Sequence, residues 1–398
     1  MALSRKHTLA FIGILLLAAN LRGPFTSLAP LLDQIMTQLH LSSTILGMLS
    51  SLPLLSFALI SPFALVILKY AGLKNSICIA LLSIFFGVCL RSYGDVYSLY
   101  IGTVFIGAGI AVGNVLLPVA VKVSFPARIA VVSSLYTFTM GIGSALSSTA
   151  MVPLSHWSFS STVFSSISGW QFALLFNLLL VFIALVFWLF SAKDKSRNES
   201  HKPINIKQLL RSPIAWQVTL ALGLNSFTFY SFAGWLPKIL IDHGMTETEA
   251  GYIYGLLQFA TMLPGLVLIP FLSILKSTKW LFVGTAMGAV IATLGTLYVP
   301  QWAILWTLMF GFFNCATFVI GLSFIGLRTH NAPQAAALSA MSQSIGYGIA
   351  TIGPPLLGYF YQSSGSWALS LWSIAIVGCG CAFFGALSAR DVKVAVDH

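Results

Sequence analysis

An all-α protein that crosses a membrane twelve times is the fold class this sequence predicts, and three observations predict it. Of the 398 residues, 58% are hydrophobic and only 7% are charged, against about 25% charged in a soluble domain. Apolar runs long enough to cross a hydrocarbon core of about 30 Å recur twelve times. The lysines and arginines fall almost entirely in alternate connections between those runs, which is the asymmetry that orients membrane helices.

In chain order the spans are placed at 8–36, 43–68, 75–92, 96–122, 129–153, 168–191, 213–240, 247–275, 280–299, 301–327, 334–361 and 367–389. Arg5 and Lys6 ahead of the first run resemble the start of a signal peptide. That run is too long for one and lacks an Ala-x-Ala site, so it is read as the first span. Ser42-Ser43-Thr44 caps the second span, and Thr246-Glu247-Thr248-Glu249 writes a capping box with Met245 as its staple at the start of the eighth. Gly353-Pro354-Pro355 is expected to bend the eleventh. Gly109 with Gly113, and Gly284 with Gly288, sit inside apolar spans and are read as close helix packing rather than a dinucleotide loop. The five cysteines all lie in apolar runs, so neither a disulfide framework nor a metal site is expected, and no cofactor is.

With both termini on the cytoplasmic side, every one of the 20 basic residues falls on that side except Arg22, inside the first span, and Arg91 and Lys238, placed outside. The net charge of +11 is therefore a topological signal, and no nucleic-acid partner is expected. One hydrophilic connection is long, 192–212. It is read as a solvated linker between two six-helix halves, 1–191 and 213–398. Asn198-Glu199-Ser200 within it fits a glycosylation acceptor but lies on the wrong side of the membrane. The halves repeat with an offset of about 205 residues, which maps Asn20 onto Asn225, Asp33 onto Lys238 and Gly141 onto Gly346. Parallel six-helix repeats place a solute site between the halves near the midplane.

Arg22 is the residue the chain is organised around. An arginine at that depth costs about 2.5–3.5 kcal/mol and faces a bundle interior or a wet cavity. The competing reading is a structural cross-link between helices. Pro24 and Pro30 free the carbonyls of Asn20 and Thr26 just after it. No acid or histidine lies at mid-membrane, and Asp33 is the one acid on a presumed cavity helix. By the repeat, Asp33 and Lys238 are expected at equal depth as a gate or coupling pair, the alternative being two interfacial anchors that never meet. Candidate solute contacts besides Arg22 are Thr26, Asn114, Asn225, Tyr230, Gln258, Asn314, Gln343 and Tyr347. Each amide can equally be interhelical glue. One cation among neutral donors and aromatic walls suits a small planar solute carrying a negative or strongly polarised group, such as a carboxylate, cyanate or nitro-heterocycle.

The stretches NLRGPFTSLAPLL (20–32), GNVLLPVAVKVSFP (113–126), SPIAWQVTL (212–220) and QAAALSAMSQSIGYGIATIGPPLLG (334–358) resemble the cyanate permease and 2-nitroimidazole transporter family of the major facilitator superfamily, closer to the nitroimidazole branch. The family's first-span pattern, Asn-[Leu/Met]-Arg followed by Thr-Ser-x-x-Pro-Leu-Leu, is matched by Asn20, Leu21, Arg22, Thr26, Ser27, Pro30, Leu31 and Leu32. Two features depart from the wider pattern: Gly23 separates Arg22 from Pro24, and Lys69 stands where the loop signature before Gly72 carries an aspartate. The resemblance implies a major facilitator fold and a secondary active transporter working by alternating access, with Arg22 as solute anchor. It implies a monomer in the cell inner membrane, with a small solute and the bilayer as partners. A proton-coupled exporter of unrelated small organic compounds is the alternative, and a channel or pore is the alternative class. The absence of HExxH, GxSxG and P-loop motifs leaves nothing to suggest an enzyme.

Overall fold

The computed structural model describes residues 5–125, 129–157, 167–190, 206–265, 267, 278–330 and 332–394. Helices fall on all twelve expected spans. The first is broken into α1 (Arg5–Asn20), α2 (Gly23–Thr26), a 3-10 turn (Ala29–Leu31) and α3 (Leu32–Leu39). Next come α4 (Ser43–Ile60), α5 (Ala64–Arg91), α6 (Val96–Ser124) and α7 (Ile129–Ser155), and the sixth span is α8 (Gly169–Leu175) with α9 (Asn177–Phe190). A short α10 (Ile206–Arg211) leads into α11 (Pro213–Asp242), α12 (Glu247–Ala260), α13 (Thr278–Tyr298), α14 (Ala303–Leu327), α15 (Ala332–Ser364) and α16 (Ala368–Ser388). Among the described residues, eight segments are long and apolar enough to cross a membrane by length and composition alone. The spans outside that set are α7, α11, α12 and α15, which carry Ser144, Asn225, Gln258 and Gln343.

Local chemistry explains the boundaries. Thr246 and Glu249 close the expected box, with Thr246 N donating to Glu249 Oε2 at 2.9 Å and Glu249 N to Thr246 Oγ1 at 3.3 Å. A box the sequence reading did not name, Ser168 with Gln171, opens α8. Asp95 caps α6 by accepting from Ser98 N at 3.0 Å, and that bond holds its carboxyl below the usual carboxylate range. Gly72 sits at φ +75°, a left-handed conformation that costs glycine little, and it divides α5 so that the third span proper starts beside Leu73. Pro354 and Pro355 lie inside α15, which stays helical through them. In the linker, 192–205 with Asn198-Glu199-Ser200 lies outside the described residues.

The helices pack as two units: Met1–Leu41, Leu55–Asn198 and Gly244–Phe259 form the first, and Ser42–Leu54, Glu199–His243 and Ala260–His398 the second. Each takes one segment from the other half of the sequence. In the second unit, Gly47 of α4 presses on the backbone of α15, where a Cβ would collide with the Pro354 carbonyl, and Trp235 Nε1 donates to that carbonyl at 2.8 Å. In the first unit, Gly255 of α12 packs so closely on α7 that a Cβ would collide with Thr149 Oγ1. Small residues allow such backbone approach where lipid offers no hydrophobic drive between helices.

Candidate functional site

The break in the first span follows from its sequence. Pro24 has no N–H to continue the helix, so α1 ends at Asn20, and Arg22 takes φ −123°, ψ −38° ahead of the single turn of α2. The Arg22 carbonyl accepts from Phe25 N at 3.1 Å, Thr26 N at 3.0 Å and Thr26 Oγ1 at 3.1 Å. Asn20 is fully buried, and its amide donates to Leu16 O at 2.8 Å and Leu180 O at 3.2 Å, tying α1 to α9. Gly113 of α6 and Gly143 of α7 let their helices close on the break, Gly143 facing Ala19 O and Gly113 facing Leu21. Ser147 Oγ reaches Gly23 O at 3.2 Å.

A buried polar string runs from this turn. Ser144 Oγ on α7 lies 3.1 Å from Thr26 Oγ1 and 3.1 Å from Gln258 Oε1 on α12. Tyr254 lies one turn before Gln258 on α12 and within electrostatic reach of Arg22, which is half-buried. Thr26, Ser144, Tyr254 and Gln258 are all buried. The first unit thus brings together Arg22, Thr26 and Gln258 from the sequence candidates and adds Ser144 and Tyr254. The i,i+4 spacing of Tyr254 and Gln258 was the signal available for Tyr254. Ser144 had none.

Arg91, placed by the count of basic residues at an outer helix end, is buried within the protein at 1% exposure, with Nη1 donating to Pro24 O at 2.7 Å and Nη2 to Ser27 Oγ at 3.2 Å. A carbonyl next to the helix break is an acceptor that draws the guanidinium inward rather than to water.

The remaining candidates separate by environment. Asn114 is exposed on α6, one turn before Pro118. In the second unit Asn225 and Asn314 are buried and face each other, Asn225 Nδ2 lying 3.4 Å from Asn314 Oδ1, with Asn314 Nδ2 donating to Thr228 Oγ1 at 2.9 Å. They border a cavity with room for about one water molecule, lined also by Thr293, Phe310 and Gly378. Tyr230 and Tyr347 meet edge to face with centroids 6.2 Å apart, and Gln343 is exposed with Nε2 donating to Ser339 Oγ at 3.1 Å. Asp33 is half-buried in the first turn of α3, and Lys238 Nζ pairs with Asp242 Oδ1 at 2.6 Å. Among the described residues no group of three His, Cys, Asp or Glu could hold a metal ion.

The sequence profile of the Major Facilitator Superfamily matches residues 10–351. The chain belongs to that superfamily. It is 42% identical over 396 residues to the 2-nitroimidazole transporter of Escherichia coli strain K12, covering 99% of this chain and 98% of that protein. The cyanate transport protein of the same strain is a more distant relative, 23% identical over 371 residues, covering 92% of this chain and 94% of that one. The crystal structure of a D-xylose-proton symporter superposes with a TM-score of 0.79 at 13% identity, covering 98% of this chain and 97% of that one, a likeness of fold alone. As a major facilitator protein the chain is a multi-pass membrane carrier that moves small solutes by secondary active transport, and not an enzyme.

Proposed function

We propose that this carrier moves a small planar solute bearing a nitro, carboxylate or similarly polarised group, of the 2-nitroimidazole kind, by alternating access, with Arg22 as its anchor. The observation that carries this reading is the polar string at the helix break, where Thr26, Ser144 and Gln258 are joined by buried hydrogen bonds, Thr26 Oγ1 also reaches the Arg22 carbonyl, and half-buried Arg22 lies within electrostatic reach of Tyr254. A nitro or carboxylate group presents two coplanar oxygens, which suit the fork of a guanidinium better than the point charge of an ammonium. Hydroxyl, phenol and amide groups both donate and accept, so they can orient a neutral heterocycle as well as an anion. The 42% identity to a 2-nitroimidazole transporter supports the same solute class.

Asn114 in the first unit, and Tyr230, Gln343 and Tyr347 in the second, are further proposed contacts. Asn225 and Asn314 are proposed to bridge helices instead, because each already holds the other. The halves 1–191 and 213–398 are the proposed repeats, and Asp33 and Lys238 the proposed coupling residues. A monomer in the inner membrane with both termini cytoplasmic completes the reading.

The test is counterflow of labelled 2-nitroimidazole in proteoliposomes. Hydrogen bonds to a charged group contribute about 1.5–3 kcal/mol, so Arg22→Ala should lower transport efficiency about 10- to 100-fold. Arg22→Lys should recover little of it. Wild-type counterflow by the alanine variant would eliminate the anchor role.

A further inference from the structure

We infer that Arg91 is a positioning residue for the solute anchor: it clamps the turn that follows Arg22 and so sets where the Arg22 guanidinium points. The inference rests on the reading of Arg22 as anchor. Arg91 is the last residue of α5, 67 positions from Pro24, yet its Nη1 donates to Pro24 O at 2.7 Å and its Nη2 to Ser27 Oγ at 3.2 Å. Ser27 Oγ in turn donates to Pro24 O at 3.1 Å. One guanidinium and one hydroxyl therefore close a ring of three hydrogen bonds on a carbonyl two residues beyond Arg22.

The arrangement is expensive, which argues for a purpose. Arg91 is 1% exposed, its described contacts include no carboxylate, and its Nε is buried with no hydrogen-bond partner. A buried cation served only by neutral acceptors is worth keeping where those acceptors must be held in place. Gly102 of α6 fixes the clamp from behind, since a Cβ there would collide with the Arg91 backbone nitrogen. On the other side, α2 is a single turn whose first bonds are accepted by the Arg22 carbonyl itself. Freeing Pro24 and Ser27 loosens the turn that orients Arg22, although Arg91 touches no part of the polar string.

Three variants of the purified full-length carrier test this, with 2-nitroimidazole as the probe: Arg91→Met, which keeps the bulk and removes all donors, Arg91→Lys, and Ser27→Ala. Hydrogen exchange of the 20–32 segment is read without solute, and binding with it. Arg91→Met should speed exchange at the Phe25 and Thr26 amides and weaken binding about tenfold or more, raising KM more than it lowers kcat. Added to Arg22→Lys, it should cost nothing further, because both changes act through one guanidinium. Arg91→Lys should keep the fold but not restore affinity, since one ammonium cannot serve both acceptors in a fixed fork. Wild-type affinity with unchanged exchange in Arg91→Met, or losses that multiply in the double variant, would overturn the inference. Should Arg91→Met not fold, Ser27→Ala decides: about threefold weaker binding with faster exchange supports the clamp, and wild-type behaviour ends it. If Arg22→Ala binds as wild type, the anchor reading alone fails, and the exchange data still judge the clamp.

Discussion

Two serines one turn apart on α7 offer a sharp test of the polar string. Ser144 and Ser148 are both fully buried. Ser144 Oγ reaches across to Thr26 Oγ1 and Gln258 Oε1, each at 3.1 Å, whereas Ser148 Oγ donates to Ser144 O of its own helix at 2.6 Å. Removing the Ser144 hydroxyl deprives the Gln258 oxygen, on a residue 1% exposed, of a donor, and an unsatisfied buried acceptor costs about 1–3 kcal/mol. If even about 1.4 kcal/mol of that appears in solute binding, Ser144→Ala raises the KM for 2-nitroimidazole about tenfold. Ser148→Ala removes a bond to a carbonyl that the helix itself already uses, and should change KM less than about twofold. Counterflow at varied solute concentration, with detergent-stability measurements to match protein quality, reads both variants side by side. Equal effects from the two serines would refute the string as part of the solute path.

Two further outcomes are expected. Asn314→Ala should lower thermal stability by about 1–2 kcal/mol through loss of its bonds to Thr228 and Asn225 while leaving the KM for 2-nitroimidazole unchanged; a KM shift without destabilisation would return Asn314 to the solute path. Asp33→Asn should abolish accumulation of solute against a gradient but keep solute-for-solute exchange, because exchange needs no net ion movement; a variant that still concentrates solute under a pH gradient would remove Asp33 from coupling.

Much of the fold was legible because lipid imposes few choices. Span lengths, the capping box at Thr246 and the broken first helix all follow from apolar run length and from where proline and glycine sit. The candidate site was legible where a residue type is costly in an apolar run, as with Arg22 and Gln258, and illegible where it is cheap. A serine in a membrane helix can satisfy itself on the preceding turn, as Ser148 does, so no spacing rule separates it from Ser144. Tyr254 is ordinary in an apolar helix until its partner is known. The inward contact of Arg91 was illegible because charge counting assigns a basic residue only to a side of the membrane, while its acceptor is a carbonyl 67 residues away in sequence. Likewise the backbone contact at Gly47 depends on a facing helix, and one glycine among 33 does not announce it.

The placement of Gln258 gives the string a mechanical consequence. Gln258 and Tyr254 lie on α12, which belongs to the second half of the sequence but packs in the unit that holds Arg22, and that unit's share of the chain ends at Phe259, directly after Gln258. Ser144 Oγ has a single proton, so when it donates to Gln258 Oε1 its contact with Thr26 Oγ1 requires the threonine hydroxyl to donate, and the string has one direction. On the proposed reading, a solute oxygen or nitrogen entering the string would compete with, or complete, the bonds that hold α12 to α7 and α2. Linkage is reciprocal: a solute whose binding depends on how α12 is held must change that hold by the same free energy. A difference of about 1.4 kcal/mol shifts such an equilibrium tenfold, roughly what one such buried bond supplies. Substitutions that weaken the α12 contact without touching the solute, such as Ser144→Ala, should then alter affinity and the balance of carrier states together. A solute that ignored the string could bind at Arg22 with any affinity and still fail to drive the cycle, because ligands move equilibria only through differential contacts.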